Sequence, residues 1–71
     1  MANPKNLICY PNPIGKGKIY FNKEITFNLY DALGRNLAFI QNSRNFEFSG
    51  FEKGIYLLRT IDGEIVKVIK Q

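Results

Sequence analysis

Apolar and polar residues alternate with a period of two along most of the chain. The run 17–22 places Ile19 and Phe21 on one face, and the run 25–30 repeats the alternation. Such alternation is typical of half-buried β-strands, because successive side chains of a strand point to opposite faces. No segment is long enough to predict an amphipathic helix. The pattern therefore predicts an all-β protein.

Clusters of Pro, Gly, Asn and Asp divide the chain into short strands. The predicted strands cover residues 7–10, 17–22, 25–30, 35–41, 45–48, 54–61 and 64–70. Asp62-Gly63 predicts a two-residue type I′ hairpin that pairs the last two strands antiparallel. About seven short antiparallel strands predict a small immunoglobulin-like sandwich.

The last two predicted strands are apolar on both faces. Ile55 and Leu57 occupy one face of the run 54–61, while Tyr56 and Leu58 occupy the other. A sandwich has one inner face per sheet, so part of this surface is expected to point outward. Two interpretations stay open: ordinary surface hydrophobic residues beside a small core, or a docking surface.

The composition excludes several kinds of chemistry. The 71 residues include ten Lys and Arg, six Asp and Glu, one Cys and no His, with a net charge of +4. A lone Cys9 forms no internal disulfide, no Cys/His zinc site can be assembled, and a serine nucleophile lacks its usual base. The acidic residues occur mostly singly near turns. We therefore expect no catalytic residues, no metal and no cofactor.

Charge and hydropathy also argue against two kinds of partner. The sequence is basic and aromatic-rich, yet no two basic residues are adjacent and no aromatic RNA-binding string occurs. The apolar runs are far shorter than the roughly 18 residues that a membrane-spanning helix needs. We expect neither nucleic-acid binding nor membrane insertion.

Four short motifs follow one another along the chain. They are Tyr10-Pro11-Asn12-Pro13, Tyr30-Asp31-Ala32-Leu33-Gly34-Arg35, Gly54-Ile55-Tyr56-Leu57-Leu58-Arg59, and the Lys-bearing strand Ile65 to Lys70 before Gln71. Their order and spacing resemble the type A C-terminal sorting domain of type IX secretion. The resemblance implies that residues 7–71 are a sorting domain and residues 1–6 an expression start or linker remnant.

The resemblance implies an address rather than an enzyme. Such a domain directs a larger upstream cargo protein, which enters the periplasm by a separate N-terminal signal, across the outer membrane to the cell surface or beyond. The implied partners are the type IX translocon, an outer-membrane shuttle protein and a sortase-like peptidase that removes the domain. No cofactor is implied.

Eight residues match the motifs of the family and are the candidate recognition residues: Pro11, Asn12, Pro13, Gly34, Gly54, Tyr56, Lys67 and Lys70. A purely structural role is the alternative for the first six. Lys67 and Lys70 lie at the basic end of the family pattern, which the translocon is expected to read.

The competing prediction is a fibronectin-like adhesion or carbohydrate-binding sandwich, which would share the fold but not the address. A sugar-binding platform requires exposed aromatic rings. Tyr20, Tyr30 and Phe51 are the candidates, and the chain contains no Trp.

Overall fold

The alternating runs form five β-strands in the computed structural model, which describes residues 6–15 and 17–71. The strands are β1 (Cys9–Tyr10), β2 (Lys18–Asp31), β3 (Asn36–Glu47), β4 (Gly54–Thr60) and β5 (Ile65–Lys70). No helix occurs among the described residues, and the all-β prediction is confirmed.

The long strand β2 organises the sheet. Its two edges are shared by three strands, because β1 and β4 pair with successive parts of one edge while β3 pairs with the other. β5 then pairs with β4, and all these pairings are antiparallel. The result is one curled sheet in the order β1-β2-β4-β5, with β3 beside β2.

The seven-strand immunoglobulin-like sandwich is not confirmed, because five strands form one curled sheet. The predicted strands 17–22 and 25–30 fall almost entirely within β2, and 35–41 and 45–48 almost entirely within β3. Register shifts occur where breaks were expected, including one between Tyr20 and Ile25, and Asn42 has a φ of 48°. Neither interval contains Gly or Pro, so an irregular pairing bends the strand without ending it.

The β4–β5 hairpin pairs antiparallel as predicted, but its turn type differs. The Gly63 N–H donates to Thr60 O at 3.0 Å, and the Thr60 N–H donates to Glu64 O at 2.9 Å. Gly63 has a φ of 96°, while Asp62 does not have a positive φ. The loop is therefore a three-residue turn that ends in a left-handed glycine, and the type I′ prediction is wrong.

The core lies on the inner face of the curled sheet. Its largest fully buried side chains are Phe27, Phe48, Ile14, Ile19, Leu29, Leu58 and Val68. Phe48 contacts Tyr56 edge to face, with ring centroids 5.3 Å apart, and Phe51 packs against both rings. Edge-to-face packing suits the charge distribution of aromatic rings, so this cluster closes one end of the core.

Candidate functional site

The β4–β5 hairpin exposes a second apolar face opposite the core. Leu57 pairs with Lys67 and Arg59 pairs with Ile65, so these four side chains share one face of the sheet. Ile55 lies on the same face, and its side chain is 46% exposed. The hairpin is therefore apolar on both sides, as the sequence predicts.

The same face continues across β2 and β3. Asn28 pairs with Phe39 of β3 and with Arg59 of β4, and Tyr30 pairs with Leu57. We define the outer face as the residues that these registers place together: Asn28, Tyr30, Asn36, Phe39, Ile55, Leu57, Arg59, Ile65, Lys67 and Ile69. Both charged members of this set are basic.

A groove lies at the end of the outer face, where β2 stops. It has a volume of about 470 Å³, and its lining includes Leu33, Leu37 and Ile55. The groove is lined both by the turn after β2 and by the start of β4, so two of the sequence motifs lie beside it. Gly34 lies in that turn, and Gly54 is one of the lining residues.

Asp31 fixes the turn that borders the groove. Its carboxylate accepts hydrogen bonds from the backbone N–H groups of Leu33 and Arg35, both at 2.9 Å, and from Arg35 Nε at 2.6 Å. These interactions, led by the Arg35 backbone bond, lower the pKa of Asp31. Gly34 adopts a φ of 86° and donates its N–H to Asp31 O. The role of Gly34 shown by the geometry is to make this turn.

Tyr56 and Lys70 hold the loop on the other side of the groove. The buried Tyr56 hydroxyl donates to Glu52 O at 2.5 Å, and burial raises its pKa. Lys70 Nζ donates to Phe51 O at 2.8 Å. Two of the eight candidate recognition side chains therefore support the loop before β4 from within the fold.

The Pro11-Asn12-Pro13 motif covers part of the outer edge of β5. The Asn12 side-chain amide donates to Lys67 O at 2.9 Å, and its carbonyl oxygen accepts from the Ile69 N–H at 3.1 Å. The backbone of Ile14 then pairs in parallel with β5 through Ile69 O and the Gln71 N–H. The Asn12 side chain thus makes the hydrogen bonds that the backbone of a neighbouring strand would make, at an edge of β5 whose backbone groups would otherwise be unpaired.

A cluster around Asn22 and Glu64 fixes the chain just before β1. Asn22 donates from Nδ2 to Asn6 O and accepts from the Ile8 N–H, while the Leu7 N–H donates to Glu64 Oε2 at 3.0 Å. The Leu7 bond and the ion pair with a neighbouring lysine lower the pKa of Glu64. Sequence analysis did not find this cluster, because its members are distant in the chain.

Cys9 is buried in β1, as expected for a small apolar residue. Burial, together with the nearby Glu64 carboxylate, raises the pKa of its thiol to about 11. A thiol with this pKa is almost entirely protonated near neutral pH.

Of the eight candidate recognition residues, Lys67 alone belongs to the outer face as defined. Pro11 and Pro13 are exposed beside the β5 edge, and each follows a cis peptide bond. Sequence analysis missed Phe39 and Arg59 as members of this face. The alternation of apolar and polar residues could indicate which face of its own strand each one occupies. It could not show that both residues pair with Asn28, because that register is set by the fold.

The proposed sugar-binding aromatic residues do not form one platform. Phe51 packs in the core cluster, whereas Tyr20 is exposed and stacks on Tyr10 with ring centroids 6.0 Å apart. Tyr30 lies among the residues of the outer face.

Within the described part of the chain, no group of three or more His, Cys, Asp or Glu residues is arranged to hold a metal ion. Residues 6–15 and 17–71 contain no helix with the length and apolar character required to cross a membrane. The exposed side chains of the outer face include apolar and basic ones, which is a chemistry suited to binding.

The comparisons with known proteins place this all-β domain in a family. The family model described as "Secretion system C-terminal sorting domain" matches residues 8–71, and the chain belongs to this family of type IX secretion signals. No curated protein and no solved structure matches the chain. Membership implies a cargo protein handled by the type IX machinery and export across the outer membrane, to the cell surface or extracellular space. The family is generally non-catalytic.

Proposed function

We propose that the domain is a type A sorting signal, read by outer-membrane components of the type IX system through its closing hairpin, residues 54–70. The cargo lies upstream, passes through the periplasm, and is separated from the domain by a sortase-like peptidase. The observation that carries the proposal is the family match over residues 8–71. The exposed apolar side chains of the hairpin, with Lys67 among them, supply a surface for the reader.

The covered edge of β5 supports reading through side chains rather than through strand addition. Strand addition along the outer edge of β5 would compete with Asn12 and Ile14, which already bind Lys67 O, the Ile69 backbone and the Gln71 N–H. The reader therefore contacts the side chains of the hairpin rather than its covered edge. Lys67 is free to contribute to orientation and encounter rate.

An export assay tests the proposal. Residues 1–71 are fused to the carboxyl end of a fluorescent reporter with a periplasmic signal peptide, in a bacterium that has a type IX system. We expect surface or extracellular reporter, and retention after deletion of residues 67–71. The same fusion in a translocon-deficient strain is the control.

The deletion also removes the contacts of Lys70 and Gln71 with the rest of the fold, so a folded variant is needed. Lys67→Glu reverses one exposed charge without removing any hydrogen bond of the side chain shown by the structure, and Lys18→Glu is its exposed matched control. Reduced export of the Lys67 variant alone supports the proposal. Unchanged delivery after both the deletion and Lys67→Glu would refute reading through the hairpin.

A further inference from the structure

We propose that the outer face is a docking surface for an acidic-rimmed apolar patch on an outer-membrane protein of the secretion machinery. The inference rests on the proposed function and specifies its contact surface and partner chemistry. The surface extends beyond the closing hairpin, because β2 and β3 contribute Tyr30 and Phe39 to the same rows of side chains.

Apolar side chains adjoin one another in the middle of this surface: Tyr30 pairs with Leu57, and Ile55, on the same face of β4, pairs with Ile69. Phe39 is 53% exposed and Ile65 is 63% exposed, and they lie in one row that also contains Asn28 and Arg59. The neighbouring row contains Leu57 and Lys67. Contiguous exposed apolar side chains mark interaction surfaces more often than isolated ones do.

The charges on the outer face indicate the chemistry of the partner. Arg59 and Lys67 are exposed, and neither forms an ion pair with any other residue in 6–15 and 17–71. The ion pairs found in that part of the chain involve Lys23 with Glu64 and Arg35 with Asp31. Complementary charges across an interface speed encounter and select the partner. A partner with carboxylates around an apolar patch would complement both features.

A second copy of the chain fits this face poorly. Two outer faces would oppose the basic residues of each copy, and juxtaposed like charges are unfavourable. Four strands spaced by about 4.8 Å and roughly seven residues long define a patch of about 400 Å². That is near half of the roughly 800 Å² per partner in a standard stable interface. An interface of this small area favours a transient contact, which suits a sorting signal that must dissociate from its reader.

A lipid surface also fits less well than a protein. Membrane-binding amphipathic segments bury their apolar face about 5–10 Å into the bilayer boundary. Here the outer face ends in a concave groove beside Leu37 and Ile55, a shape that a bilayer surface does not fill. A groove of this kind accepts a protruding side chain of a partner protein.

Binding measurements with matched variants test the inference. The 71-residue chain is titrated against the purified outer-membrane shuttle protein of the type IX system in detergent. Arg59→Glu is compared with Arg44→Glu, because both arginines are exposed and each change lowers the net charge from +4 to +2. Ile65→Ser is compared with Ile8→Ser, since Ile65 is 63% and Ile8 57% exposed.

We expect Arg59→Glu and Ile65→Ser each to weaken binding about tenfold, with the control variants within about twofold of the unmodified chain. Affinity should also fall as NaCl rises from about 0.05 M to about 0.5 M. Circular dichroism verifies that all four variants are folded. Equal losses in face and control variants, or no loss in either, would overturn the inference.

Two further measurements address the alternative occupants. Arg59-dependent binding to vesicles of phosphatidylglycerol and phosphatidylethanolamine, without binding to the shuttle protein, would assign the face to lipid and overturn the proposal. Sedimentation that shows an Ile65-dependent dimer, without binding to the shuttle protein, would assign the outer face to a second copy of the chain and would also overturn the proposal.

The export assay separates failure of this inference from failure of the proposed function. If the unmodified fusion is exported and the Arg59→Glu and Ile65→Ser fusions are exported equally well, the sorting function stands and the outer-face inference is wrong. If the unmodified fusion remains in the periplasm of the competent strain, the proposed function itself fails.

Discussion

Replacing Asn12 with alanine tests how the edge of β5 is protected. The substitution removes the amide that donates to Lys67 O and accepts from the Ile69 N–H. It leaves the backbone pairing of Ile14 with β5 chemically intact. The variant therefore isolates the contribution of one side chain to the closure of an edge.

The expected loss follows from the two bonds. Their lengths are 2.9 and 3.1 Å, and both are solvent-exposed. A net contribution of roughly 0.5–1 kcal/mol for each such bond predicts a loss of about 1–2 kcal/mol in the free energy of unfolding. For a domain of this size, each kcal/mol lowers the melting temperature by roughly 4–8 °C.

Urea unfolding and amide hydrogen exchange measure the effect. We expect a lower urea midpoint with an unchanged m-value, and faster exchange at the Ile69 amide while the β5 amides that face β4 remain protected. Asn45→Ala is the control, because Asn45 is an exposed strand asparagine whose side chain bonds no other described residue; it should change stability by less than about 0.5 kcal/mol. An unchanged midpoint together with unchanged Ile69 exchange in Asn12→Ala would refute the edge-covering role.

Three further predictions concern the core and the titrating groups. Phe27→Ala should cost about 3–5 kcal/mol in urea unfolding, because Phe27 is fully buried, while Leu33→Ala in the exposed turn should cost less than about 0.5 kcal/mol. Because folding lowers the pKa of Glu64, its contribution to stability is present above the unfolded value of about 4.3 and is lost as the pH falls through the folded value; Glu64→Gln should reduce the decline in urea midpoint below about pH 5. With a pKa of about 11, Cys9 should react with a disulfide reagent at pH 8 about two orders of magnitude more slowly in the folded chain than in urea.

Each of these predictions has a contrary result. Equal costs at Phe27 and Leu33 would contradict the assigned core. An identical acid decline in Glu64→Gln would show that the carboxylate is not selectively stabilised by folding, and equal labelling rates of Cys9 in both states would contradict its burial.

The inner face of the sheet was predictable because it depends on local alternation. Ile19, Phe21, Ile25, Phe27 and Leu29 alternate in the sequence and are buried along β2. The two-sided apolarity of the closing hairpin was also visible in advance, because apolar residues occupy successive positions within each of its two strands. Tyr56 needed a partner for its hydroxyl, and the fold supplies Glu52 O.

The strand count and the candidate surface depended on contacts that local patterns do not encode. Lys23-Glu24 looks like an interruption, yet β2 continues through it because pairing on its edges resumes in a shifted register. Asn12 looks like a turn residue between two prolines, and its contact with β5 spans 55 residues. Arg59 and Phe39 lie in one row of side chains only because both pair with Asn28 of β2, which lies between their strands.

The cluster around Asn22 and Glu64 determines how the domain responds to a pull from the chain that precedes it. Tension applied there reaches the bonds of Asn6, Leu7 and Ile8 first, and the two-residue strand β1 next. The hydrogen bonds of this segment break one after another rather than all at once. Cys9 of β1 already belongs to the core, and beyond it Ile14 is fully buried and bonded to β5, so the resistance to peeling rises along the segment.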